Sequence, residues 1–118
     1  MIRGIGVDIV DLARFTRQVE RTPGLIPRLF AEGERALSVH SLAARFAAKE
    51  ALIKALGDSA GTTWQELEIA SDSHGNPFFV LHESLRSVMA FRGITSLHVT
   101  MTHDAGVACA FVVVEGDS

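Results

Sequence analysis

The residues able to do chemistry in this 118-residue chain are charges embedded in apolar sequence. From Ser41 to Leu56, eleven of sixteen residues are apolar, mostly Ala and Leu, which favour helix strongly. At about 100° per residue, Leu42, Phe46 and Ile53 share one stripe, and Ala43, Ala44, Ala47, Ala48, Ala51 and Ala55 cover most of the rest. A helix apolar on nearly every side is normally enclosed by its neighbours. This one nevertheless carries Arg45, Lys49, Glu50 and Lys54, with Lys49 turned into the stripe of large side chains. Unpaired charges in such a place are costly, so something compensates them. Internal pairing is one answer: Glu50 and Lys54 are a favourable (i, i+4) pair, and long stems reach out to water. A polyanion with a divalent metal is the other, since three cations suit phosphates. One carboxylate suits a hard ion such as Mg²⁺, which takes few protein ligands besides substrate phosphate oxygens.

A second carboxylate interrupts the amino-terminal run. Ile2 to Val10 reads as a strand, with Asp8 inside it and Gly4 and Gly6 as points of close approach. Asp8 is either a solvated strand-end residue or a metal ligand leaving a buried strand. Asp11 reads as the N-cap of an amphipathic helix over Leu12 to Glu20, in which Leu12, Phe15 and Val19 face inward. Arg14, Arg17 and Arg21 lie on its other face, either simply solvated or steering an acidic partner. Pro23, Gly24 and Pro27 break this helix, and a short helical piece is expected over Arg28 to Leu37. Ser41 reads as the N-cap of the central helix and Gly57 as its C-terminal glycine.

The remainder alternates short strands with one helix. Gly57 to Thr63 is a small polar loop whose amides could approach a phosphate, though most such clusters are turns. Leu67 to Ser71 and Pro77 to Leu81 form a hairpin about Ser73 to Asn76. His82 to Phe91 is a second amphipathic helix ending near Gly93. Ile94 to Met101 and Val107 to Val114 are the clearest strands, joined through Thr102 to Gly106. His98 faces the surface, whereas His103 sits at the turn, where a side chain can meet a ligand. The expected fold is α+β: a small, mainly antiparallel sheet with helices packed on it, forming one domain over residues 1–118.

Composition narrows the partners. A net charge of −3 argues against a general nucleic-acid binder. Residues 1–30 carry five arginines against three carboxylates, and residues 31–118 are net −5, so a partner is expected to meet the first part of the chain. Cys109 is the single cysteine, which excludes an intrachain disulfide and a cysteine zinc cluster; within VACAFVVV it reads as a small buried thiol. With no signal peptide or membrane-length apolar run, a cytoplasmic location without membrane contact is expected. The hydrophobic content of 47% is high for so short a monomer and points to an oligomer.

Three motifs resemble the small bacterial 4'-phosphopantetheinyl transferases: Gly4-Ile5-Gly6-Val7-Asp8-Ile9-Val10; Arg45-Phe46-Ala47-Ala48-Lys49-Glu50-Ala51 running on to Lys54-Ala55-Leu56-Gly57; and His98-Val99-Thr100-Met101-Thr102-His103-Asp104. Weaker similarity covers Leu29 to Arg35 and Gly75 to Leu81. The resemblance implies transfer of the phosphopantetheine arm of coenzyme A to a serine of apo-acyl carrier protein, releasing 3',5'-ADP, in fatty acid biosynthesis. It implies Asp8 and Glu50 as Mg²⁺ ligands, with Glu50 also the first candidate base. Lys54 would act on the pyrophosphate, and Lys49 would be a phosphate contact or a brace. Arg45, Gly57, Thr102 and His103 would contact coenzyme A, and Arg14, Arg17 and Arg21 the carrier. It also implies a homotrimer with sites between subunits. The sequence departs from the family pattern after Gly57 (GDSAGTT), at Thr100 and Thr102, and at Asn76. A non-catalytic trimeric docking module and a Mg²⁺-dependent nucleotide-pyrophosphate hydrolase are the competing readings. The first has no use for two convergent carboxylates, and the second generally needs more of them.

Overall fold

The computed structural model describes residues 1–59 and 61–117. Its elements run β1 (Ile2–Asp11), α1 (Leu12–Arg21), α2 (Leu25–Leu29), a 3-10 turn (Glu32–Glu34) and α3 (Val39–Leu56). A second 3-10 turn (Trp64–Glu66), β2 (Ile69–Ser71), β3 (Pro77–Phe79), α4 (Glu83–Arg92), β4 (Ile94–Asp104) and β5 (Val107–Gly116) follow. β1, β5 and β4, in that order, make an antiparallel sheet, and β2 and β3 make a separate hairpin. The expected α+β class holds.

Pleating sorts the sheet residues. Gly4, Gly6, Asp8 and Val10 pair with Val114, Val112, Ala110 and Ala108 and face α3. The helix lies directly on them, because its alanines and the strand glycines leave no side chains to separate the backbones. A Cβ on Gly4 would collide with the carbonyl oxygen of Ala55, and one on Gly6 with that of Ala51. Leu42, Ala47, Ala51, Leu52, Phe30, Leu85 and Val112 fill the core around this contact. The opposite face of the sheet is apolar and open: Ile5, Val7, Ile9 and Phe111 are 56%, 48%, 62% and 42% exposed.

Several boundaries differ from expectation, each for a local reason. The central helix begins at Val39, because the Ser38 hydroxyl, not that of Ser41, caps it by accepting the Ser41 N–H at 3.2 Å. The piece expected over Arg28 to Leu37 is instead α2 and a 3-10 turn; Pro27 fits the first turn of α2, where its missing N–H costs nothing. Gly57 does end α3, in the left-handed conformation at φ 94°. The connection drawn over Thr102 to Gly106 shrinks to Ala105 and Gly106, both at positive φ, as a two-residue hairpin turn demands. His103 is consequently a paired strand residue opposite Ala108, not a turn residue.

Candidate active site

Asp8 emerges on the helix-facing side of β1, and α3 brings two charges to it. Lys54 Nζ donates to an Asp8 carboxylate oxygen and to the Val7 carbonyl, each at 3.0 Å. Lys54 is 55% exposed and Asp8 18%, so this pair sits at a rim with one side to solvent. Glu50 lies one helical turn before Lys54 and faces the same pocket as Asp8. Partial burial, and next the charge of Asp8, push the Glu50 carboxyl above its ordinary range, while Lys54 pulls the other way. The pocket, about 460 Å³, is closed by Val10, Phe15 and Phe46 and edged by Arg14 and Gln18. Lys54 therefore bonds across to Asp8, not back to Glu50 along the helix.

Lys49 answers its charge in another way. It is 0% exposed, and its ammonium donates to Glu34 at 2.7 Å and to the carbonyls of Leu29 and Trp64 at 2.9 Å each. All three donors are used, and the ammonium also lies 5.0 Å from the centre of the Phe30 ring. Burial lowers its pKa, opposed by the Glu34 carboxylate. All three N–H groups are thus spent on protein partners, tying α3 to the segments of Leu29, Glu34 and Trp64. Phe46 packs between Phe15 and Trp64, with ring centres 5.9 and 5.4 Å away, which holds the pocket wall that Lys49 anchors through the Trp64 peptide.

The other expected site residues stand apart from the two carboxylates. Arg45 bonds to β2, through Nε to the Ile69 carbonyl at 3.3 Å and Nη2 to the Ser71 hydroxyl at 3.5 Å. His103 lines a second, larger groove of about 900 Å³ with Arg17, Thr16, Asp104 and His40, whose ring centre is 6.0 Å from its own. Thr102, opposite Cys109, points to the outer face of the sheet. Gly57 is exposed beyond the end of α3, where Arg92 bonds to the Leu56 carbonyl and, at 2.7 Å, to Asp58. Arg14 and Arg17 edge different grooves from one helix, and Arg21 extends that exposed face by one turn.

Two participants escaped the sequence reading. Glu34 pairs with Lys49 across fifteen residues, a separation no helical or strand period marks. His40 lies outside the recurring motifs and is recognised only by its neighbour in space. Among the described residues no three His, Cys, Asp or Glu side chains gather as a metal cluster. What the pocket offers a cation is two carboxylates from different elements. That is a donor set fit for a hard ion whose other ligands come from substrate and water.

An α+β scaffold with two carboxylates, a lysine and an arginine about one open pocket is suited to a phosphate-bearing substrate. The family model described as the 4'-phosphopantetheinyl transferase superfamily matches residues 4–112. The chain belongs to that superfamily, and it is an enzyme. It is 64% identical over 118 residues to the holo-(acyl-carrier-protein) synthase of Leifsonia xyli subsp. xyli, covering 100% of both chains. The crystal structure of holo-(acyl-carrier-protein) synthase from Neisseria meningitidis superposes with a TM-score of 0.90 at 32% identity, over 98% of this chain and 99% of that one. The Helicobacter pylori enzyme in complex with coenzyme A matches with a TM-score of 0.84 at 33% identity, over 94% and 99%.

The raised Glu50 carboxyl sets a pH dependence. Between the ordinary carboxylate range and its raised value, the folded chain holds this proton better than the unfolded chain. Stability is therefore lost as pH climbs through that window, and an ionised Glu50 is a net cost at pH 7. Glu50→Gln is expected to melt higher than the parent at pH 7, with the gain vanishing below the ordinary carboxylate range. Thermal melts across pH check this, and equal midpoints at pH 7 would contradict it.

Proposed function

We propose that this enzyme transfers the 4'-phosphopantetheine arm of coenzyme A to a serine of an apo-acyl carrier protein, releasing 3',5'-ADP, in cytoplasmic fatty acid biosynthesis. The observation carrying the proposal is the convergence of Asp8 and Glu50 on one pocket beside Lys54 and Arg14. Family membership and the coenzyme A complex of the Helicobacter pylori relative support it.

The serine oxygen attacks the phosphorus next to the pantetheine arm; a P–O bond to the carrier forms as the pyrophosphate P–O bond breaks. Glu50, facing the same pocket as Asp8, is the residue placed to accept the serine proton. Lys54 is held over the strand by Asp8 and the Val7 carbonyl, with half its side chain in solvent, so it can take up charge on the pyrophosphate oxygens. Asp8 and Glu50 would hold Mg²⁺, which when bound supplies positive charge to the pyrophosphate. The like charges of these two carboxylates fit them for that ion. Lys49 fixes the pocket wall. Arg45, His103, Thr102 and Gly57 contact the adenosine end of coenzyme A, and Arg14, Arg17 and Arg21 receive the acidic carrier.

These adenosine contacts do not line the carboxylate pocket, and Thr102 opens onto the bare apolar side of the sheet. Both facts support a homotrimer, in which the exposed Ile5, Val7, Ile9 and Phe111 are covered and a neighbour completes each site. Phe111→Asp is expected to convert a three-chain particle to monomers in sedimentation; a wild-type chain that sediments as a monomer would oppose the assembly.

Mass spectrometry of an apo-carrier incubated with coenzyme A, Mg²⁺ and the enzyme is expected to show the gain of one phosphopantetheine. Chelation of the metal, Asp8→Asn or Glu50→Gln should cut that rate by about 10²-fold or more. Arg14→Glu should raise the KM of the carrier, more at low salt than at high. An unmodified carrier under full conditions would refute the transfer, and full activity in Asp8→Asn and Glu50→Gln would refute the site.

A further inference from the structure

The carboxylate of Glu34 is 1% exposed and accepts three donors from three different segments. One oxygen takes Lys49 Nζ at 2.7 Å and the Ala31 N–H at 2.9 Å; the other takes the Ile69 N–H at 3.1 Å. Ile69 in turn gives its carbonyl to Arg45 Nε. Arg45 and Lys49 are one turn apart on α3, so the contacts close a ring: α3 to Lys49, Glu34, the N–H and carbonyl of Ile69, Arg45 and back to α3. β2 has only three paired positions, too few to fix its own place on the helix. The buried carboxylate adds a polar tie to the packing of the buried Ile69 side chain.

We propose that Glu34 is a positioning residue for Arg45, acting through the backbone of Ile69 to set the guanidinium for coenzyme A. This rests on the reading above that Arg45 contacts coenzyme A. A glutamate serves because both its oxygens accept. In Glu34→Gln the charged Lys49 retains the remaining oxygen, and the new amide NH₂ faces the Ile69 N–H, donor against donor. β2 then keeps only its apolar packing, and the Ile69 carbonyl and Ser71 hydroxyl that hold Arg45 lose their fixed position. Lys49 keeps its two carbonyl partners.

The test is a kinetic cycle with Glu34→Gln, Arg45→Ala and the double variant in the carrier-modification assay. Glu34→Gln is expected to raise the KM of coenzyme A about tenfold, the scale of one charge-assisted hydrogen bond. Its kcat should stay within about twofold. On the Arg45→Ala background the same substitution should change KM no further. An undiminished effect on that background means that Glu34 acts elsewhere, and overturns the proposal. An unchanged KM in Arg45→Ala overturns the coenzyme A role of Arg45 and this proposal with it, while transfer itself, read by mass, still stands. Should Glu34→Gln not fold, ¹⁵N NMR of the wild-type enzyme decides. The Arg45 Nε–H is expected to exchange with water far more slowly than that of Arg14, and equal rates overturn the proposal.

Discussion

The structure depends on the direct seating of β1 on α3. Gly4 and Gly6 present bare backbone to the carbonyls of Ala55 and Ala51, so strand and helix approach as closely as peptides allow. That closeness puts the next inward residue of the strand, Asp8, within a hydrogen bond of Lys54 and in the same pocket as Glu50. With a larger residue at position 6 the strand would ride up on a Cβ, and the two acids would part. The apolar helix and the charged site are therefore one feature. Small residues make the contact, and the contact brings the charges together.

A second constraint acts apart from the first. Lys49 and Glu34 form a buried ion pair of the kind that often costs more in desolvation than it returns. Here each member satisfies several backbone groups besides its partner: Leu29 and Trp64 for the lysine, Ala31 and Ile69 for the glutamate. These four residues lie in or beside short elements outside the three-stranded sheet, so the pair organises what that sheet does not reach. It holds the Trp64 and Phe46 wall on one side and β2 on the other.

Much of this was legible in the sequence, because it follows from short-range rules. The alanine-rich helix, its glycine stop, the Asp11 cap and the two long strands are local patterns, and the structure has them. The conflict between Lys49 and its apolar surroundings was legible too. Its resolution was not, because the partner carboxylate is set by how the chain folds back over α3. The exact extent of the β4–β5 hairpin was hidden for another reason. Thr102, His103 and Asp104 look like turn residues by composition, yet a turn of Ala105 and Gly106 suffices, and strand pairing claims the rest. That pairing sends Thr102 and His103 to opposite faces of the sheet, a separation that adjacency in sequence conceals.

The central physical claim is that Asp8 and Glu50 together hold a divalent cation beside the pyrophosphate of coenzyme A. Paramagnetic broadening reads it directly: Mn²⁺ replaces Mg²⁺ in ¹⁵N-labelled enzyme with coenzyme A present, and the backbone resonances are followed. The strongest broadening is predicted around Asp8 and Glu50, fading with distance from them. Broadening centred elsewhere, or none at Asp8 and Glu50 once coenzyme A is bound, would contradict it.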